Sequence, residues 1–146
     1  MGYINDGKAS GATVSFGGDA HGGDGYFIQP TIFTDCKPDM KIVREEIFGP
    51  VASVIKFKTE EEVIEMANDT SYGLACGLFT DNVSRAIRVS NALEAGMAWV
   101  NCYGTTEYQV PFGGNKMSGH GRELGEYALD LYTEVKAVHI NIGLKL

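Results

Sequence analysis

Three apolar runs separated by two helix-like segments constrain this chain more than any other feature. Val51 to Phe57 is rich in Val and Ile and reads as a buried strand. Thr59 and Glu62 then stand three apart, the spacing of a capping box, and the acids at 60 to 62 suit the positive end of a helix. Val63, Ile64 and Ala67 supply its inward face. Gly73 to Thr80 is a second apolar strand. Asp81 is placed to cap a longer helix, with Val83, Ala86, Ile87 and Leu93 on one stripe and Gly96 ending it. Met97 to Asn101 returns as a strand. Strand, helix, strand, helix, strand at this spacing predicts an α/β unit with parallel strands. Such sheets take ligands at their strand carboxyl ends, which directs attention to the loop from Cys102 to Gly125.

The flanks are less regular. Residues 1 to about 10 read as the tail of a helix broken by Gly7 and Gly11, and Ala12 to Phe16 as a short strand. Gly17 to Gly25 is glycine-rich but lacks the GxGxxG register between a strand and a helix, so a turn is expected rather than a phosphate cradle. Tyr26 to Phe33 reads as a strand with Pro30 at an edge or bulge. Lys37 to Glu45 holds a short helix. Gly125 to Leu131 reads as another, and Thr133 to Ile142 alternates polar and apolar in the manner of a half-buried strand.

Composition excludes several classes. The 146 residues suit one domain, with 44% hydrophobic and 21% charged residues as in globular proteins. A net charge of −7 argues against a nucleic-acid or anionic-membrane surface, which needs clustered Lys and Arg. No apolar run approaches the about 20 residues of a membrane span, and no signal peptide is read at the start. Cys36, Cys76 and Cys102 form an odd set without a CxxC pair, the usage of a reduced intracellular protein rather than of a disulfide or zinc scaffold. His21, His120 and His139 are too scattered to make a ligand cluster, so no metal is expected. Leu144-Lys145-Leu146 only grazes the Ser-Lys-Leu peroxisomal pattern and is discounted.

The chemistry gathers at Arg44-Glu45-Glu46-Ile47-Phe48-Gly49-Pro50-Val51. Proline fixes its own φ and biases Gly49 toward extended or turn backbone. In extended backbone Glu46 and Phe48 project to one side, and a carboxylate beside a ring suits a ligand carrying a polar diol next to a flat aromatic. The plainer reading is a surface glutamate ending a short helix and a phenylalanine plugging the core.

This stretch resembles a signature of the NAD(P)-dependent aldehyde dehydrogenases. The likeness extends to Pro111-Phe112-Gly113-Gly114-Asn115-Lys116-Met117-Ser118-Gly119, to Gly121-Arg122-Glu123-Leu124-Gly125 and to Tyr132-Thr133-Glu134-Val135-Lys136, and runs from Gly2 to about Ile142. The resemblance implies the C-terminal part of the family's catalytic domain: an α/β, Rossmann-like parallel-sheet portion over 1–131, followed by an oligomerisation strand and tail over 132–146. It implies that Glu46 hydrogen-bonds the nicotinamide ribose of NAD, or of NADP, and that Phe48 contacts the nicotinamide. Phe112 is expected to line the aldehyde entrance or to pack under the Gly113-Gly114 turn. Glu123 matches a glutamate that relays a proton in relatives; its structural alternative is a pair with Arg122 or Lys116. Thr106 is expected in the substrate pocket, where Gly104, Thr105 and Thr106 leave one commonly aromatic position small and polar, which puts a preference for bulky aromatic aldehydes in doubt. Homo-oligomer formation through Thr133 to Ile142 is also implied.

The family's reaction needs a thiolate nucleophile and a glutamate that activates water. The family's nucleophile lies in a Gly-Gln-x-Cys setting that none of the three cysteines has, and the general base and dinucleotide-binding domain precede the matched region. The chain alone is therefore expected neither to oxidise aldehydes nor to bind NAD tightly. A Cys-His hydrolase built from Cys102 and His120 lacks any third orienting group. Two other readings are weighed: a free-standing, non-catalytic interaction protein derived from the family, and a nucleotide-binding module using Gly119-x-Gly121, which follows a loop rather than a strand. A cytoplasmic location is expected, with mitochondrial targeting of a longer parent left open.

Overall fold

The computed structural model describes residues 1–143 and 145, so Leu144 and Leu146 of the discounted tail pattern lie outside the described residues. The chain divides into two compact units, Met1–Thr70 and Ser71–Leu146.

The first unit carries α1 (Gly2–Ala9), β1 (Thr13–Phe16), β2 (Thr31–Thr34), α2 (Lys41–Arg44), β3 (Val51–Ser53) and α3 (Glu60–Asn68). β2 is the centre of its sheet, antiparallel to β1 across an irregularity between Val14 and Phe16 and parallel to β3. Alternation along Thr31-Ile32-Phe33-Thr34 turns Thr31 and Phe33 inward. Phe33 is fully buried and packs in a core with Ile4, Ala12, Cys36, Met40 and Ile42. The buried Thr31 hydroxyl is satisfied twice, donating to Gln29 O at 2.9 Å and accepting from Gly18 N at 2.9 Å, as a buried polar group must be.

The strand expected from Tyr26 begins only at Thr31. Pro30 has no N–H for a ladder, Tyr26 and Phe27 stand exposed, and a single bridge between Ala20 and Ile28 closes the glycine-rich loop instead. α3 is capped as expected: Thr59 Oγ1 accepts from Glu62 N at 3.2 Å. The Glu62 carboxylate, however, accepts from Lys58 N at 2.6 Å, one residue before the cap. Val63 and Ile64 are half-buried, but Ala67 is exposed and Met66 takes its place on the inner face.

The second unit is built on β4 (Ala75–Leu78), α4 (Val83–Ala92) and β5 (Met97–Val100). β4 and β5 pair in parallel, Ala75 opposite Met97 through Leu78 opposite Val100, so this part of the predicted α/β unit forms. The predicted run through β3 does not continue into the same ladder, because β3 hydrogen-bonds to β2. Apolar runs reveal that a strand is buried, not which strand lies beside it. Asn82, not Asp81, caps α4, its Oδ1 accepting from Arg85 N at 2.9 Å. Ala86 and Val89 form the buried face, while Val83 and Ile87 are exposed. Gly96 is not the helix terminator, since Leu93 closes α4 in extended backbone.

Beyond β5 lie 3₁₀ turns at Lys116–Ser118 and Glu126–Leu131, the latter where a short helix was expected. The expected strand from Thr133 does not form: residues 133–141 adopt no regular secondary structure, and Val135, Val138, Ile140 and Ile142 are exposed. A lone alternating segment gains nothing from its apolar face without an edge to pair with. Among the described residues no helix is long and apolar enough to cross a membrane.

Candidate functional site

The first unit holds a shallow depression of ≈ 480 Å³ whose wall includes Glu46, Phe48, Val43 and Ser53. Its charged neighbours divide by what they do. Arg44 pairs with Asp69 at 2.8 Å, and Glu45 accepts from the Tyr3 hydroxyl at 2.8 Å. Lys41, whose ammonium sits 5.1 Å from the Tyr3 ring, is held above its ordinary pKa, first by its hydrogen bond to Asp6 and then by the nearby Asp6 and Glu45 charges. Glu46 is exposed and has no hydrogen-bond or ion-pair partner among the described residues. Local structure thus engages the first two charges of Arg-Glu-Glu and, among the described residues, not the third.

Phe48 does not plug the core, contrary to the plainer reading; it is 88% exposed. The expectation that extended backbone aligns it with Glu46 also fails, because Phe48 has φ 53°, a left-handed conformation uncommon for a bulky residue. The two side chains nonetheless line one depression, with Phe48 in left-handed backbone rather than in strand alternation. A free carboxylate that can accept two hydroxyl hydrogen bonds, next to an uncovered ring, fits a ribose beside a nicotinamide, and strained backbone of this kind persists where a site requires it.

The second unit holds a separate depression of ≈ 580 Å³ whose lining includes Trp99, Cys102, Thr106, Pro111, Arg122 and Tyr127. Thr106 stands in it as expected. Phe112 is half-buried and not part of that wall; its backbone makes a two-hydrogen-bond bridge with Glu123, at 2.7 and 2.8 Å. Glu123 takes neither pairing expected of it: Lys116 pairs with Glu94 at 2.6 Å. Arg122 donates to the carbonyls of Gly114 and Gly121 at 2.8 and 2.7 Å and to Asn115 Oδ1 at 2.8 Å. The Glu123 carboxylate instead accepts from the Tyr132 hydroxyl at 3.1 Å, and that bond, with the adjacent negative charge, raises the Tyr132 pKa.

The glycines of Pro111-Phe112-Gly113-Gly114 are explained by close backbone approach. A Cβ on Gly113 would stand 2.7 Å from Gly121 O, and one on Gly114 2.6 Å from Ser118 Cβ. Of the cysteines, Cys36 is buried and Cys102 exposed. Burial pushes the Cys76 thiol up, and the thiol donates to Met97 O at 3.4 Å. His120 is not in the wall that Cys102 lines. Among the described residues no group of three or more His, Cys, Asp or Glu could hold a metal.

The aldehyde dehydrogenase family model matches residues 1–138. The chain belongs to the aldehyde dehydrogenase family. It is 62% identical over 146 residues to an aldehyde dehydrogenase of Agaricus bisporus, covering 100% of this chain and 29% of that protein. An NAD+ complex of the Bacillus cereus aldehyde dehydrogenase matches with TM-score 0.93 and 55% identity over 97% of this chain and 29% of that one. The NAD-dependent aldehyde dehydrogenase of Sinorhizobium meliloti matches with TM-score 0.95 and 40% identity, covering 99% and 29%. The chain thus spans about 29% of the length of these aldehyde dehydrogenases.

Trp99 lines the second depression although the sequence did not single it out, and Asn101 precedes the lining residue Cys102. Asn101 adopts φ 56°, which Asn tolerates better than most residues. Its amide accepts from Thr80 N at 2.8 Å and donates to Thr80 O at 3.0 Å, continuing the β4–β5 pairing by one side-chain rung. An Asn closing an apolar strand was the available signal.

Proposed function

We propose that this chain is the C-terminal portion of an NAD(P)-dependent aldehyde dehydrogenase that oxidises an aldehyde to a carboxylic acid. The observation that carries the reading is the placement of Glu46, unengaged among the described residues, in one depression with the exposed ring of Phe48. The Glu46 carboxylate accepts hydrogen bonds from the cofactor ribose, charge-assisted and so among the stronger ones. Phe48 lies against the nicotinamide and keeps water from it. NAD, when bound, is the hydride acceptor. Phe112 and Thr106 border the aldehyde's path, and Glu123 holds or passes a proton with its position fixed by the Phe112 bridge and Tyr132. The nucleophile and general base come from residues outside this sequence, and residues 1–131 act as part of the catalytic domain. The coding sequence upstream of Met1 tests this: an open frame with Gly-Gln-x-Cys supports it, and an in-frame stop favours a free-standing, non-catalytic protein.

Residues 132–146 serve assembly in this reading. The exposed Val135, Ile140 and Ile142 join a partner's sheet edge as a strand, giving a homo-oligomer. Sedimentation of the intact chain is expected to show dimers or larger species, shifting to monomer when residues 133–146 are deleted. A monomer indifferent to that deletion contradicts it.

A further inference from the structure

Trp99 touches the second depression in a way that the roles above do not use. It lies on β5, and its indole N–H donates to Thr105 O at 2.8 Å. Its ring stands 5.0 Å from that of Tyr103 at an interplanar angle of 53°, a favourable tilted arrangement. Tyr103 in turn lies close over Gly77 of β4, where a Cβ would meet its ring at 3.0 Å. The loop between leaves β5 through Asn101, locked to Thr80, and turns at Gly104 with φ 76°. Its entry is therefore fixed by an amide clamp and its far end by one indole hydrogen bond. Trp99, Cys102, Thr105 and Thr106 all line the ≈ 580 Å³ depression.

We propose that Trp99 is a positioning residue whose indole N–H, by holding the Thr105 carbonyl, sets where Thr106 stands in the pocket wall and so how large a ligand enters. A tryptophan that merely filled space would act through its shape, and any ring of equal size would serve. Here the donor atom itself ties the loop. Calling the ligand an aldehyde rests on the reading in Proposed function; the positioning does not.

The sequence contains one tryptophan, so growth with 3-benzothienylalanine, a sulfur isostere of tryptophan without the N–H, alters position 99 alone. Cys102, on the same wall, reports pocket width through its labelling by a small and a bulky maleimide, and Cys76 reports whether β4 and β5 remain intact. The intact chain is expected to favour the small maleimide, and the isostere to narrow that preference about two- to tenfold, the size of one net hydrogen bond, with Cys76 still protected. An unchanged preference with Cys76 protected overturns the proposal. If the isostere exposes Cys76, hydrogen exchange of the indole N–H in the unmodified chain decides: slowed exchange supports the bond, and exchange at the rate of free tryptophan overturns it. Propanal separates the two ideas. Protection of Cys102 by propanal supports both, whereas no protection, with a preference that still depends on the N–H, contradicts the aldehyde reading and leaves the role of Trp99 standing.

Discussion

The 146-residue chain mixed with NAD and propanal should produce no NADH. Aldehyde oxidation of this kind begins with a thiolate attacking the carbonyl, and the three cysteines offer no activated one. Cys36 is buried in the core. Cys76 is disfavoured as a thiolate by burial, which blunts reactivity. Cys102 is exposed, but among the described residues no base is held against it. NAD affinity should also be too weak for calorimetry at micromolar concentrations, because in the proposed reading Glu46 and Phe48 reach only the nicotinamide half of the cofactor. NADH formation that depends on aldehyde and disappears in Cys102→Ser would establish a catalytic thiol here and reverse this account.

Gly96→Ala should unfold the second unit or nearly so. A Cβ at Gly96 would stand 1.9 Å from Gly113 O, 2.8 Å from its carbonyl carbon and 3.0 Å from Gly114 Cα. All three are backbone atoms that no rotamer change can move. The strand start and the Gly113-Gly114 turn are tied together there, with Gly96 N and Asn115 N both donating to Gly73 O, at 2.9 and 2.8 Å. Relief therefore requires displacing the turn that follows Phe112 and that Arg122 holds through Gly114 O and Asn115 Oδ1. The expected cost is about 3 kcal/mol or more, the upper range for overpacking, which for a unit of this size lowers the melting temperature by roughly 12 °C or more. Gly2→Ala, where a Cβ meets nothing within 4 Å, is the matched control and should change little. Equal melting temperatures for the two variants would mean that the close approach does not exist in solution.

The sequence made some of this legible and not the rest, for identifiable reasons. The α/β alternation and the Thr59 cap rest on local spacing, so the parallel β4–α4–β5 unit and the cap at Glu62 could be read directly. The Glu46–Phe48 pairing was legible as a motif, but its geometry was not. A left-handed Phe48 is a choice forced by surrounding structure, and alternation arguments assume it away. Partners distant in sequence were invisible. Tyr3 engages Glu45 across 42 positions, so that of the two adjacent acids Glu45 is the one tied to its own chain. Glu123 was paired in prospect with its neighbours in sequence, whereas Tyr132 holds it. The terminal segment alternates as a half-buried strand would, yet alternation records only that an apolar face seeks cover, and no strand forms. Whether a strand forms depends on an edge that lies outside the segment.

The most direct measurement of the central claim is complementation. The Bacillus cereus aldehyde dehydrogenase, 55% identical over the matched region, is expressed without that region and mixed with this chain, NAD and an aldehyde. NADH formation is expected to return. Glu46→Gln should then raise KM for NAD or lower kcat/KM by roughly 10- to 100-fold, the range of a lost charge-assisted hydrogen bond, with the chain's circular dichroism unchanged. No NADH from this mixture, under conditions where the Bacillus enzyme's own excised segment restores activity, would contradict the claim that this chain is the working C-terminal portion of an aldehyde dehydrogenase.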